Sequence, residues 1–198
     1  MRERAIAWLR ENVNEHRLQH ILGVESTSVE LARHHDLDPV KAGQAGLLHD
    51  LAKFFKPKKL LAMAESAGIE IDEICAEHPH LLHADVSAVV AREEFGITDE
   101  EILDAIRNHT LGRPGMSALS CVVFVADALE PGRGDTPELN ALRQLGFQDL
   151  YKCVQQTSDH SLKYLLNSAC PIHPRTVLTR NWALQIVKGK PAETRSID

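Results

Sequence analysis

Positive charge is not in excess in this chain. Its 198 residues carry a formal net charge of -6, so it lacks the broad basic field with which proteins meet nucleic acid. An anionic substrate would need a local positive site instead. No apolar run approaches the ~18 residues of a membrane span, and the N-terminus shows no signal-peptide pattern. A cytoplasmic protein is therefore expected, with neither nucleic acid nor membrane among its partners. The four cysteines, Cys75, Cys121, Cys153 and Cys170, form no C-x-x-C pair and are read as reduced core residues. Repeats, low-complexity segments, domain linkers and alternating strand pairs are all missing. Aromatic residues are few, at 5%, against an abundance of Ala, Leu and Glu. What remains is one all-α domain, a helical bundle long enough to bury a real core.

Helical periodicity and start signals divide the chain. Helices are expected over 1–14, 15–35 and 39–53, the last capped by Asp38 with Pro39 at its first position. Others are expected from Pro57 to near Gly68, over 79–95 closed by Gly96, from Asp99 to about His109, and over 117–130. The valine-rich run 122–125 leaves a strand as an alternative for the last of these. Residues 69–78 read as a connector and 111–116 as a loop. Two more helices follow, about 139–170 with an interruption near Gly146, and 174–187. The domain is taken as 1–188, with a functional core over about 15–135 and C-terminal helices over about 138–188. A flexible tail is expected over 189–198.

The unusual abundance is histidine, 11 residues. In Gly46-Leu47-Leu48-His49-Asp50-Leu51-Ala52-Lys53 a histidine and an aspartate sit in a small, apolar run that reads as the central helix. Buried charge is costly unless paired or ligating a metal. The chain supplies a control in His35-Asp36, at a helix end where nothing apolar encloses it, which reads as exposed turn chemistry. What distinguishes His49-Asp50 is company: His20, His83, His109 and Asp127 each lie at or beside an apolar helical face. His80 competes with His83, but His83 follows Leu81-Leu82 and reads as inside. His160 and His173 read as structural or exposed, and Trp8 and Trp182 as core or interface. Four imidazoles and two carboxylates suit Zn, Mn, Fe or Co. They exceed the needs of one tetrahedral ion and suit two ions sharing a carboxylate.

The ordered set His20…His49-Asp50…His83…His109…Asp127 resembles the ligand order of HD-domain phosphohydrolases. Arg17-x-x-His20-x-x-Gly23-Val24, Leu48-His49-Asp50-x-x-Lys53, His109-Thr110 and Asp127-x-x-Glu130-Pro131-x-Arg133 are similar to signatures of the YqeK-type branch. The resemblance implies a dinuclear, iron-containing site, with Mn, Co or Zn as other candidates. It implies symmetrical cleavage of the dinucleoside polyphosphate diadenosine tetraphosphate to two ADP. It places His20, His49, Asp50 and Asp127 on one ion and Asp50, His83 and His109 on the other, Asp50 bridging. Water shared by such ions loses its proton near neutral pH and becomes the nucleophile. Lys53, a helical turn after Asp50, would then stabilise charge on the phosphate. Arg133 could clamp a distal phosphate, Thr110 and Gly112 could offer a hydroxyl and backbone N–H groups, and Arg17 could orient a ligand or touch phosphate. Lys56, Lys58 and Lys59 extend a local basic cluster. Other HD-type substrates, namely dNTPs, nucleoside monophosphates or an alarmone, fit the same ligands; a non-catalytic nucleotide sensor would be expected to lack several of them. Trp182 and the apolar last helix could serve a homodimer.

Overall fold

A computed structural model describes residues 1–189, and within them the chain forms α-helices and short 3-10 turns with no strand. The helices are α1 (Arg2–Asn12), α2 (Glu15–His34), α3 (Pro39–Leu48), α4 (Pro57–Ser66), α5 (Glu73–Glu77), α6 (His83–Phe95), α7 (Glu100–Asn108), α8 (Ala118–Leu129), α9 (Pro137–Gln148), α10 (Leu150–Asn167) and α11 (Pro174–Val187). The expected tail lies, beyond Gly189, outside the described residues. No described helix is long and apolar enough to cross a membrane.

Helix starts follow local capping chemistry. Asn14, Asp38, Asp99 and Ser117 each accept a hydrogen bond from a first-turn N–H of α2, α3, α7 and α8, satisfying donors that a helix leaves orphaned. The strand alternative for 122–125 is not realised. Val122, Val123 and Val125 are buried in α8 beside Leu119 and Phe124, and burial on every side overrides their β-propensity.

Helix α3 is the hub, packed against α1, α2, α6, α7 and α8. Its small residues make this possible. A Cβ at Gly46 would lie 3.1 Å from the Glu25 Cα and 3.1 Å from the Val24 carbonyl oxygen, so the backbones of α2 and α3 approach as only glycine permits. Helix α10 packs on α8, α9 and α11 and closes the opposite side. Trp182 is buried there, edge-on to Tyr151 at 5.9 Å between ring centroids, so it belongs to the core.

Several expected boundaries move, each through a contact distant in sequence or a cap not credited. Helix α3 ends at Leu48 rather than 53: the Ala52 N–H donates to the Ser87 hydroxyl at 2.9 Å, and Lys53 N–H bonds the Asp50 carbonyl in a tighter turn. The helix expected over 79–95 is split into a 3-10 turn, Pro79–Leu82, and α6. The connector 69–78 contains α5, capped by Asp72. The interruption expected near Gly146 falls at Asp149, the cap of α10. Cys75, Cys121 and Cys153 are buried, and burial pushes each thiol up to about 12, while Cys170 is exposed and leaves the core set.

Candidate metal centre

Three of the four histidines stand where a helix stops or starts. His49 closes α3, His83 joins the 3-10 turn to α6, and His109 closes α7. In each the Nδ1 lies close to the backbone carbonyl three residues earlier: Gly46 at 2.6 Å, His80 at 2.6 Å and Ile106 at 2.7 Å. A carbonyl only accepts, so Nδ1 is the N–H that donates and Nε2 carries the lone pair. His20, inside α2, reaches the same state with a carboxylate, its Nδ1 2.9 Å from Glu130 Oε1. Four imidazoles thus present a bare Nε2 to one centre, each held by an outer partner of the kind that orients metal ligands.

These lone pairs face one another and the two carboxylates. His83 Nε2 is 3.2 Å from His109 Nε2. Asp50 Oδ1 lies 3.3 Å from His83 Nε2 and 3.6 Å from His109 Nε2, and Asp50 Oδ2 lies 3.5 Å from His49 Nε2. Asp127 Oδ1 is 3.0 Å from His20 Nε2 and 3.8 Å from His49 Nε2. Buried His49 Nε2 and Asp50 Oδ1 have no hydrogen-bond partner. Orphaned acceptors turned inward on each other are unfavourable unless a cation lies among them. His20, His49 and Asp50 each offer an atom within 4.8 Å of the others, as do Asp50, His83 and His109. Asp50 is common to both groups, so the residues present fit two metal ions sharing its carboxylate.

Electrostatics favour a neutral imidazole at His83 and ionised carboxylates at Asp50 and Asp127. Burial pushes the His83 imidazole down to about 4, against the pull of Asp50, so it is neutral at physiological pH. Burial would raise the Asp50 carboxyl, but the protonated forms of His49, His109 and His83 outweigh it and hold Asp50 well below the usual carboxylate range. Asp127 is likewise held low, its burial offset by His20, His49, His109 and Arg133.

Cations and a hydroxyl ring the centre. Arg17 donates to Asp50 Oδ2 at 2.9 Å. Arg133 donates through Nη2 to Asp127 Oδ1 at 2.6 Å and through Nε to the Asp127 carbonyl at 2.8 Å. Lys53 Nζ is 3.1 Å and Thr110 Oγ1 3.2 Å from His83 Nε2. Every sequence-predicted site residue except Gly112 is therefore gathered here. The Gly112 N–H donates to the Asn108 carbonyl at 2.9 Å, and its positive φ of 62° lets it pass Thr179, which a Cβ would meet at 2.5 Å; it shapes the loop and offers no free N–H to phosphate. Of the competing pair, His83 sends its ring to the centre and His80 supplies the carbonyl behind it. Lys56, Lys58 and Lys59 are exposed, and Lys59 lies over the Phe55 ring.

Glu130 stands in the sequence reading only as part of the Asp127-x-x-Glu130-Pro131-x-Arg133 phrase, with no role of its own. It is 3% exposed, and besides holding His20 it accepts from the Gly132 N–H at 2.6 Å. The signal was Gly23, one turn after His20: a Cβ there would stand 2.5 Å from Glu130 Oε2, so the glycine makes room for the carboxylate.

Comparison with known proteins agrees with this arrangement. Residues 17–132 match the HD domain, a span that runs from Arg17 to the turn after Glu130. The chain is 39% identical over 181 residues to the symmetrical bis(5'-nucleosyl)-tetraphosphatase of Bacillus subtilis, covering 91% of this chain and 96% of that protein. It is 30% identical over 182 residues to the protein of the same name from Staphylococcus aureus, covering 91% and 93%. A crystal structure described as a predicted HD superfamily hydrolase involved in NAD metabolism, from Clostridium acetobutylicum, superposes with a TM-score of 0.89 at 33% identity, covering 93% of this chain and 97% of that one. With the helical fold, the six inward-facing histidine and aspartate side chains and these matches together, the chain belongs to the HD domain family.

Proposed function

We propose that this chain hydrolyses diadenosine tetraphosphate symmetrically to two ADP, in a metal-dependent reaction. The observation that carries the reading is the Asp50 carboxylate set between two groups of bare imidazole nitrogens, with His49 Nε2 and Asp50 Oδ1 unsatisfied. The names of relatives that match nearly the whole chain supply the substrate. His20, His49, Asp50 and Asp127 would hold one divalent ion and Asp50, His83 and His109 the second, with iron the first candidate among Fe, Mn, Co and Zn. What such ions supply is Lewis acidity, which acidifies a water and polarises a phosphoryl oxygen.

The remaining work falls to side chains. Water adds across the central P–O–P bridge: a new P–O bond forms on one inner phosphorus, the bridging P–O bond breaks, and the other ADP leaves with the oxygen. Charge grows on the leaving oxygen and on the phosphoryl oxygens. Lys53 and Arg133 are the cations beside the centre that can take up that charge, and the Thr110 hydroxyl can donate to a phosphate oxygen. Arg17 donates to Asp50 Oδ2 and holds the carboxylate in place. The metal-holding residues and these helpers fall within about residues 15–135, and α9 to α11 form a wall of the same domain.

The test is direct. Purified protein is incubated with diadenosine tetraphosphate and each divalent metal in turn, and the nucleotides are resolved by ion exchange. ADP alone is the expected product. Formation of ATP and AMP, or no turnover with any of the metals, overturns the proposal.

A further inference from the structure

Of the exposed aromatic residues, Tyr164 is the most exposed and the one that borders the cavities beside the centre. The chain has only two tyrosines. Tyr151 is packed against Trp182, but Tyr164, near the end of α10, is 64% exposed and forms no aromatic pair among the described residues. Its surroundings suggest a ligand.

Tyr164 and Leu165 line a cavity of about 510 Å³ together with Leu81, Leu111 and Pro171. That volume is in the range of small-molecule sites, as is the pattern of apolar walls with a few polar groups. No carboxylate lines it; the polar groups include His78, His80 and Ser161. Thr110 joins the cavity to the metal centre, since it lines the cavity and its hydroxyl lies 3.2 Å from His83 Nε2. Tyr164, Leu165 and Ser161 also border a second cleft, of about 350 Å³, that contains Asp127 and Arg133. The tyrosine thus stands on a ridge between two hollows, one opening on the His83 half of the centre and one on the Asp127 half.

A ligand for the larger hollow must be flat and apolar on its faces, able to hydrogen-bond at its edges, and attached to something anionic that continues past Thr110. A nucleobase on a polyphosphate has this form, and an aromatic side chain is the usual platform for a base. We propose that the cavity holds a terminal nucleoside of the substrate with its base stacked on Tyr164, which makes Tyr164 a specificity-determining residue. This rests on the hydrolase reading for the identity of the ligand and adds where its nucleoside lodges.

The experiment compares ADP with inorganic pyrophosphate as ligands of the manganese-loaded protein, by calorimetry, in the wild type, Tyr164→Ala and Tyr164→Phe. Stacking worth about 1–3 kcal/mol per base corresponds to a loss of roughly 5- to 150-fold. Wild-type protein should bind ADP more tightly than pyrophosphate by a margin of that order. Tyr164→Ala should lose the margin with pyrophosphate affinity unchanged, and Tyr164→Phe should keep it. The KM for diadenosine tetraphosphate should rise in step in Tyr164→Ala. Equal binding of ADP and pyrophosphate by the wild type, or an undiminished margin in Tyr164→Ala, overturns the proposal. A Tyr164-dependent margin in a protein that does not cleave diadenosine tetraphosphate would sink the hydrolase reading and leave the nucleoside site standing.

Discussion

Glu130 and His20 are 110 residues apart in sequence and 2.9 Å apart in space, Oε1 to Nδ1. The carboxylate sets the tautomer of the imidazole, so that Nε2 faces Asp127 as a lone pair. The other three histidines get the same service from backbone carbonyls at helix ends, two of which, those of His80 and Ile106, also accept the histidine's own backbone N–H. His20 lies in the middle of α2, whose carbonyls are engaged along the helix, and therefore needs a side chain.

Glu130→Ala should release His20 and lower metal affinity by about 10- to 100-fold, the usual cost of losing an outer partner of a ligand. Glu130→Gln, which can still accept from Nδ1 through its amide oxygen, should lose less. Chelator competition against the purified protein measures both. Equal affinity in all three proteins would show that Glu130 does not orient the ligand.

Gly23→Ala tests the same pair from the opposite side. The added Cβ would stand 2.5 Å from Glu130 Oε2 and 3.2 Å from its Cδ, and Glu130 is fixed by both His20 and the Gly132 N–H. Either the carboxylate leaves His20 or α2 shifts. Overpacking of this kind costs about 1–3 kcal/mol. A lower melting temperature is expected together with weaker metal retention, since one carboxylate serves both. Unchanged values of both would refute the close approach.

What could be read in the sequence divides along this line. Asp38-Pro39, Asp99 and Ser117 sit beside the helices they cap, so their helices were legible from a few adjacent residues. The six candidate ligands were legible because imidazoles and carboxylates in apolar runs are chemically out of place. The end of α3 was not, because it depends on the Ser87 hydroxyl taking the Ala52 N–H from 35 residues away. Glu130 was legible as part of a signature phrase, but its task at His20, 110 residues away, was hidden for the same reason. Helix α5 is a different case: Asp72 was a local signal, but five residues are too few to display a periodicity.

Asp72 also gives a pH-dependent expectation outside the metal centre. Its Oδ1 accepts from the Cys75 N–H at 2.7 Å, and His173 Nε2 lies 2.7 Å from its Oδ2, tying the start of α5 to the start of α11. The Cys75 N–H is the main cause of its lowered pKa, with His173 adding to it and burial opposing. A carboxyl whose pKa is lower folded than unfolded binds fewer protons in the native state, so its contribution is full above the ordinary carboxylate value and fades as pH falls through the folded one. Asp72→Asn keeps a capping oxygen and loses the charge. It should therefore melt below wild type at neutral pH, by well under about 1 kcal/mol because the side chain is 43% exposed, and the two curves should converge in acid. A gap that widens on acidification would reverse the assigned sign.

Lys53 supplies the sharpest separation of roles. Its ammonium lies 3.1 Å from His83 Nε2, so it donates to the lone pair that a metal ion would need. The two uses of that nitrogen exclude each other, and a metal-loaded centre must release Lys53 to another partner, of which a phosphate oxygen is the fitting one. Removing the lysine therefore removes a competitor for the ligand and a stabiliser of developing charge together. Lys53→Ala should bind metal at least as tightly as wild type while kcat falls by about 10²- to 10³-fold, the usual cost of losing one such electrostatic contact. Metal titration and steady-state kinetics on the same preparation read both quantities. Loss of metal in proportion to loss of activity would mean that Lys53 holds the centre together and does not act on phosphate.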